Sequence, residues 1–174
     1  TLWSESDRNV IGIYTVTVNE TNKKDERWYR NTNITYSFAN NKVTGSYGTA
    51  TAREHADTLW TQTDSDNGDL PDEKSVGDLR AKGLKTVLIE TLKKQAAQIL
   101  QETDWYIIRK ADAGTAVPSS ITTHRAAVRT KAAEMETAIT NAADTAALET
   151  LYTYTEQEDG SVTRPIGELP TLED

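Results

Sequence analysis

The chain contains no cysteine, which excludes disulfides and thiolate metal sites. It has one Phe and one Met among 174 residues, and only 36% of its side chains are hydrophobic. So lean a chain builds a modest core, and burial against a partner or a second copy is expected to matter. No apolar run approaches the roughly 18 residues of a membrane helix, so no membrane partner is expected. The opening Thr-Leu-Trp-Ser-Glu-Ser-Asp carries no basic-then-apolar leader pattern. Cytoplasmic synthesis is therefore expected, and the sequons at Asn19 and Asn33 read as chance matches. Clusters of Lys and Arg are missing too. The formal net charge is −8, with the acidic excess reading as spread along the chain. Phosphate-backbone recognition needs clustered cations, so no nucleic-acid partner is expected.

Chemistry is equally sparse. His55 and His124 are the only imidazoles, and no nucleophile sits on a Gly-flanked turn beside them. There is no phosphate-cradling Gly loop and no dinucleotide fingerprint. Asp64-Ser-Asp-Asn-Gly-Asp69 clusters carboxylates, but a calcium loop starting at Asp64 would need Gly at its sixth place and Glu at its twelfth. Those places hold Asp69 and Ser75, so the stretch reads as a solvated turn. Glu90, Glu102, Glu134 and Glu136 fall on helical faces where carboxylates are usually solvated or paired with cations. No catalytic residue, metal or cofactor is assigned, and no enzyme is expected.

What is present divides into two halves with different periods. Val10, Tyr14, Val16 and Val18 alternate, as do Trp28, Thr32, Ile34, Tyr36 and Phe38, and then Val43, Tyr47 and Thr49. Period two with Val, Ile, Thr and aromatics predicts half-buried antiparallel strands, joined by turns at 19–25 and Asn40-Asn41. Three such strands form a meander with one face that something must cover. Residues 62–74 have turn formers and no apolar spacing, which marks a linker. From Ser75 the period becomes helical: Leu84, Leu88, Leu92, Ile99 and Tyr106 share a stripe. Gly114 and Pro118 set a corner, and Ser119 or Ser120 can cap a second helix. In that helix Ile121, Arg125, Val128, Ala132, Met135, Ile139, Ala142 and Ala146 step by four and three, the heptad pattern of lengthwise packing. Asn141 to Asp144 can interrupt it, with Thr145 to Tyr152 as a continuation. Residues 155–174 carry Gly160, Pro165, Gly167 and Pro170 and read as extended chain held by a partner.

The predicted class is α+β: an N-terminal antiparallel β-meander, a long α-helical hairpin and an extended C-terminal tail. The domains are a β-rich domain at 1–61, a linker at 62–74, a helical hairpin at 75–154 and a tail at 155–174. At the corner, Trp105 is expected to wedge into the bend over Ile121 and Val117-Pro118, with Asp104 within reach of Arg125 or Arg129. Trp105, Tyr106, Ile107, Ile108 and Arg109 are the candidate partner-binding residues, being more than a corner needs. The strand half offers an alternative, carbohydrate recognition on Trp28 or Trp60, although Trp28 alternates with apolar neighbours as a core residue does.

The stretch LQETDWYIIRKADAGTAVPSSITTHRAAVRT resembles a segment of bacteriophage tail proteins, above all tail-fibre assembly chaperones. Those carry a Leu-Leu-x-x-Thr-Asp-Trp run, a short polar corner and a helix with an Arg-x-x-x-Arg pair. The matching residues are Ile99-Leu100, Thr103-Asp104-Trp105, and Arg125 with Arg129, within a resemblance spanning Leu92 to Thr130. The corner Ala-Asp-Ala-Gly-Thr-Ala-Val-Pro departs from the shorter serine-aspartate corner of that family, and the strand half matches no motif. The resemblance implies a non-enzymatic protein that helps to assemble or attach tail fibres, as structural component or chaperone. Its implied partner is another phage tail or fibre protein; independently of the resemblance, long helices with Ala-rich stripes gain burial by pairing with another helical surface, so a homo-oligomer is a further expected form of association. Its implied location is the host cytoplasm during assembly, or the virion tail.

Overall fold

The computed structural model describes residues 3–172. Residues 1, 2, 173 and 174, the outer ends of the expected first domain and of the tail, lie outside the described residues. The chain forms two compact units, Thr1–Arg53 and Glu54–Asp174. The α+β class is as the sequence predicts, with small sheets first and long helices in the latter half. No helix among the described residues is long and apolar enough to cross a membrane.

The first unit opens with a short helix, α1 (Glu5–Val10), whose last residue, Val10, alternation assigns to the start of a strand. Ser4 accepts from the Asp7 amide, and the Asp7 carboxylate accepts from the Ser4 amide. This reciprocal capping box overrides the weak alternation at Val10. The strands β1 (Val16–Asn19), β2 (Tyr29–Arg30), β3 (Thr35–Ala39), β4 (Lys42–Ser46) and β5 (Thr51–Ala52) follow. They do not form one meander. The three-stranded sheet has the order β1-β4-β3, with β1 parallel to β4 and β3 antiparallel to it, while β2 pairs with β5 separately. Asn33 at φ 60° breaks the long second strand that the alternation suggests. Asn40 and Asn41 both adopt positive φ and close the β3–β4 hairpin, as their tolerance of left-handed backbone predicts.

This split separates Trp28 from Tyr36 and Phe38. Trp28 is 3% exposed and Tyr29 is also buried, with Arg27 over the indole and Lys24 over the phenol. Register places Val16, Val18, Val43, Gly45, Tyr36 and Phe38 on one face of the larger sheet. That face stays largely open, Tyr36 and Phe38 being exposed by more than half.

The second unit begins earlier than the compositional linker suggests. The start of α3 (Leu84–Gln101) explains why: the first turn of any helix leaves backbone N–H groups without intrahelical acceptors. Here Gly83 N–H donates to Asp57, Leu84 N–H to the Glu54 carbonyl and Lys85 N–H to the His55 carbonyl. Residues 54–57 thus belong with the helix they cap. Between them lie β6 (Thr58–Leu59), α2 (Gln62–Asp66) and β7 (Leu79–Ala81), with β6 antiparallel to β7. The expected linker therefore starts with a helix, and the helical pattern expected from Ser75 begins only at Leu84, after a turn and a strand. Gly77 at φ 94° and the pairing of Leu79 with Leu59 prevent an earlier start.

Beyond α3 come α4 (Asp104–Ala113), α5 (Ser119–Asn141), α6 (Thr145–Tyr152) and the hairpin strands β8 (Thr155–Glu156) and β9 (Val162–Thr163). α3 and α5 are antiparallel neighbours: Lys85 Nζ reaches the Thr140 carbonyl at 2.8 Å, Lys93 pairs with Glu136 at 2.8 Å, and Arg125 meets Leu100. Leu88, Leu92 and Ala96 face Ile121, Val128, Met135 and Ile139 in the core, so the four-three stripe is buried from Ile121 to Ala142, with Ala132 only partly so, while its last predicted member, Ala146, lies in α6 and is exposed. Gly114 at φ 68° ends α4. Pro118 is the N-cap of α5, so neither Ser119 nor Ser120 caps it. The interruption before Thr145 is real, with Asp144 accepting from the Ala147 amide. The extended tail is held by its own unit: Ile166 is 3% exposed and donates its N–H to the Leu151 carbonyl.

Candidate functional site

The Thr-Asp-Trp segment lies where the first long helix breaks. Thr103 turns its amide (3.1 Å) and its hydroxyl (3.0 Å) back onto the Leu100 carbonyl. A hydroxyl returned to its own helix competes with the regular ladder and favours a bend. Arg125 then enters from α5. Its guanidinium donates to the Leu100 carbonyl at 2.6 Å and to the Thr103 hydroxyl at 2.7 Å, and pairs with Asp104 at 2.9 Å. Arg125 is 8% exposed, a buried cation with every contact directed at the break. Asp104 opens α4, where a carboxylate also complements the helix dipole. The Asp104–Arg125 pair is the one the spacing suggests. Arg129 instead donates to the Arg125 carbonyl at 3.4 Å.

Trp105 is not the wedge. It is 49% exposed, and the buried side chain at the helix break is Arg125. The reason is geometric: α3 ends at Gln101 and a new helix starts at Asp104, so Trp105 lies in the first turn of α4, and Tyr106, predicted as the last member of the α3 stripe, does not continue α3 either. Its ring packs on Tyr106, centroids 3.9 Å apart, and the Arg109 guanidinium lies 4.5 Å from the Trp105 centroid and 5.5 Å from that of Tyr106. All ten residues of α4 are at least partly exposed. Ile108 is 67% exposed and Ile107 also faces solvent. The five predicted partner-binding residues are thus brought together on one short helix.

The other candidates are dispersed. His124 is buried in α5 and His55 half-buried beside the α3 cap. Asp64 completes the capping box of α2, whose N-cap is Thr61: its carboxylate accepts from the Thr61 hydroxyl and amide and pairs with Arg80 at 2.8 Å, and these contacts hold it below the usual carboxylate range. No cluster of three or more metal-ligating side chains occurs among the described residues. Trp28 is too buried to offer a flat platform to a sugar ring, and Trp60 is half-buried with Arg80 stacked over it at 4.6 Å. The sequence reading missed the hub role of Arg125. Its signal was there: a charged residue standing in an otherwise apolar heptad stripe.

No family model matches the chain, and searches among curated proteins and solved structures likewise return no match.

Proposed function

We propose that the chain is a non-enzymatic tail protein of a tailed bacteriophage that helps to assemble or attach tail fibres by binding another tail protein. The observation that carries the reading is α4. A short helix with Trp105, Ile107 and Ile108 in solvent gains nothing for its own core. It is nevertheless fixed at its start by a buried arginine with three contacts. Exposed aromatic and branched residues on a preorganised support are what a docking surface requires, because the ordering cost has been met before the partner arrives. The phage assignment is supported by the resemblance of the segment Leu92 to Thr130 to tail-fibre assembly chaperones.

The protein would act in the host cytoplasm during assembly and, if structural, remain in the virion tail. Mass spectrometry of purified virions, together with pull-down from infected cells, tests this. A structural component appears in virions at fixed copy number. A chaperone is missing from virions but retrieves a tail or fibre protein from the cells. Retrieval of no phage tail protein, with absence from virions, would refute the proposal.

A further inference from the structure

The cation at the centre of the α4 surface is the part of it that the docking reading leaves unexplained. Arg109 is half-buried over the Trp105 and Tyr106 rings, and its Nε is shielded from solvent with no hydrogen-bond acceptor among the described residues. It has no carboxylate partner among the described residues either, although Asp112 lies one turn further along the same helix. The other arginine at this corner, Arg125, has all its contacts in place. The shielded Nε is out of a partner's reach, but a guanidinium stacked on aromatic faces keeps its terminal nitrogens, which are not shielded in this way, available for an in-plane carboxylate.

From this charge complementarity we infer that α4 takes a protein segment in which an Asp or Glu stands beside apolar side chains, the carboxylate on Arg109 and the apolar groups on Trp105 and Ile108. Trp105, Ile108 and Arg109 are spaced by three and four, so they lie on one side of the helix. Trp and Arg are also the residue types that dominate binding energy where a patch is desolvated. The rest of the unit decides against a polyanion. Residues 54–174 hold 22 Asp and Glu against 12 Lys and Arg, a balance of −10, whereas residues 1–53 hold five against seven, a balance of +2. Counted by unit, the acidic excess is thus not spread along the chain, as it first reads, but concentrated in the unit that carries α4. Such a field repels nucleic acid or a phosphate-rich surface much more than a single carboxylate set in apolar sequence.

This inference rests on the docking reading, and two sets of variants separate them. A random dodecapeptide library is panned on the intact chain, and selected peptides are measured by fluorescence anisotropy. The expected binders carry Asp or Glu next to Leu, Ile or Phe. Converting that acid to its amide, or Arg109→Gln in the protein, weakens binding by about ten-fold, and the two changes together cost no more than either alone. Lys110→Gln, a neighbouring exposed cation, changes affinity by less than about two-fold. An empty selection, acid-free binders, or acidic binders indifferent to Arg109→Gln would each overturn the inference. Capture of the tail protein lost in Ile108→Asp but kept in Arg109→Gln also overturns it, while leaving the docking surface intact. Capture unchanged in both variants removes α4 as a docking surface altogether. Circular dichroism of each variant shows that helix content is retained.

Discussion

Replacing Arg125 by Met tests the arrangement of the whole corner. The substitution keeps the buried aliphatic stem and removes the charge and its donors. Three contacts go: those to the Leu100 carbonyl, the Thr103 hydroxyl and the Asp104 carboxylate. The Leu100 carbonyl is not orphaned, because the Thr103 amide and hydroxyl still donate to it. The Asp104 side chain is half solvated, so its share of the pair is under about 1 kcal/mol. The charged hydrogen bonds to neutral acceptors carry more, roughly 1.5–3 kcal/mol together with their environment. The expected loss is therefore about 2–4 kcal/mol for Arg125→Met and under about 1 kcal/mol for Asp104→Asn. Because the chain has two units, a single unfolding curve need not report one transition, so hydrogen exchange resolved by segment is the better assay. Amides of residues 104–113 should lose protection first in Arg125→Met, ahead of the α3 and α5 centres. An Arg125→Met protein within about 0.5 kcal/mol of the parent, or an Asp104→Asn protein equally damaged, would refute the claim that the arginine holds the break.

Trp105→Ala should cost less than about 1 kcal/mol in stability, since the ring is half exposed, yet abolish retrieval of the proposed tail partner. Equilibrium denaturation and pull-down read the two effects separately. Gly83→Ala should destabilise the second unit by about 1–3 kcal/mol, because the added Cβ would overlap the backbone of Ala56, which lies between the capping residues His55 and Asp57. The exchange rates of α3 amides check this. Asp57 is held below the usual carboxylate range by the Thr86 hydroxyl and then by the Gly83 amide. A lowered native pKa means that its contribution is complete above the ordinary aspartate value of about 4 and disappears as pH falls through the native one. Acid titration of the second unit should therefore lose this contribution only at low pH, and Asp57→Asn should flatten that part of the profile.

Local spacing was enough to place the Asn40-Asn41 turn, the end of a helix at Gly114, the interruption before Thr145 and the buried stripe from Ile121 to Ala142. Each depends on interactions within a few residues or on a single helical face, so the chain states them directly. The same local rules failed where two options were close in energy. At Val10 a capping box outweighed alternation, and near Asn33 one positive φ divided a strand into two sheets. The five residues of the candidate surface could be named from the sequence as excess apolar character near a corner, but their support could not. Period analysis scores Arg125 as one more member of a stripe and Trp105 as the obvious plug.

Sequence alone determined that this protein has strands followed by paired helices, with a corner carrying exposed-type and core-type residues in the same short run. Only the tertiary structure decided which of them goes inside. Where the helix breaks, the Leu100 carbonyl and the Thr103 hydroxyl each have room to accept a further hydrogen bond, and the side chain that supplies both comes from the opposite helix, 22 residues along the chain from Thr103. The guanidinium is buried at the break, and Trp105, in the first turn of the helix that starts there, is half exposed.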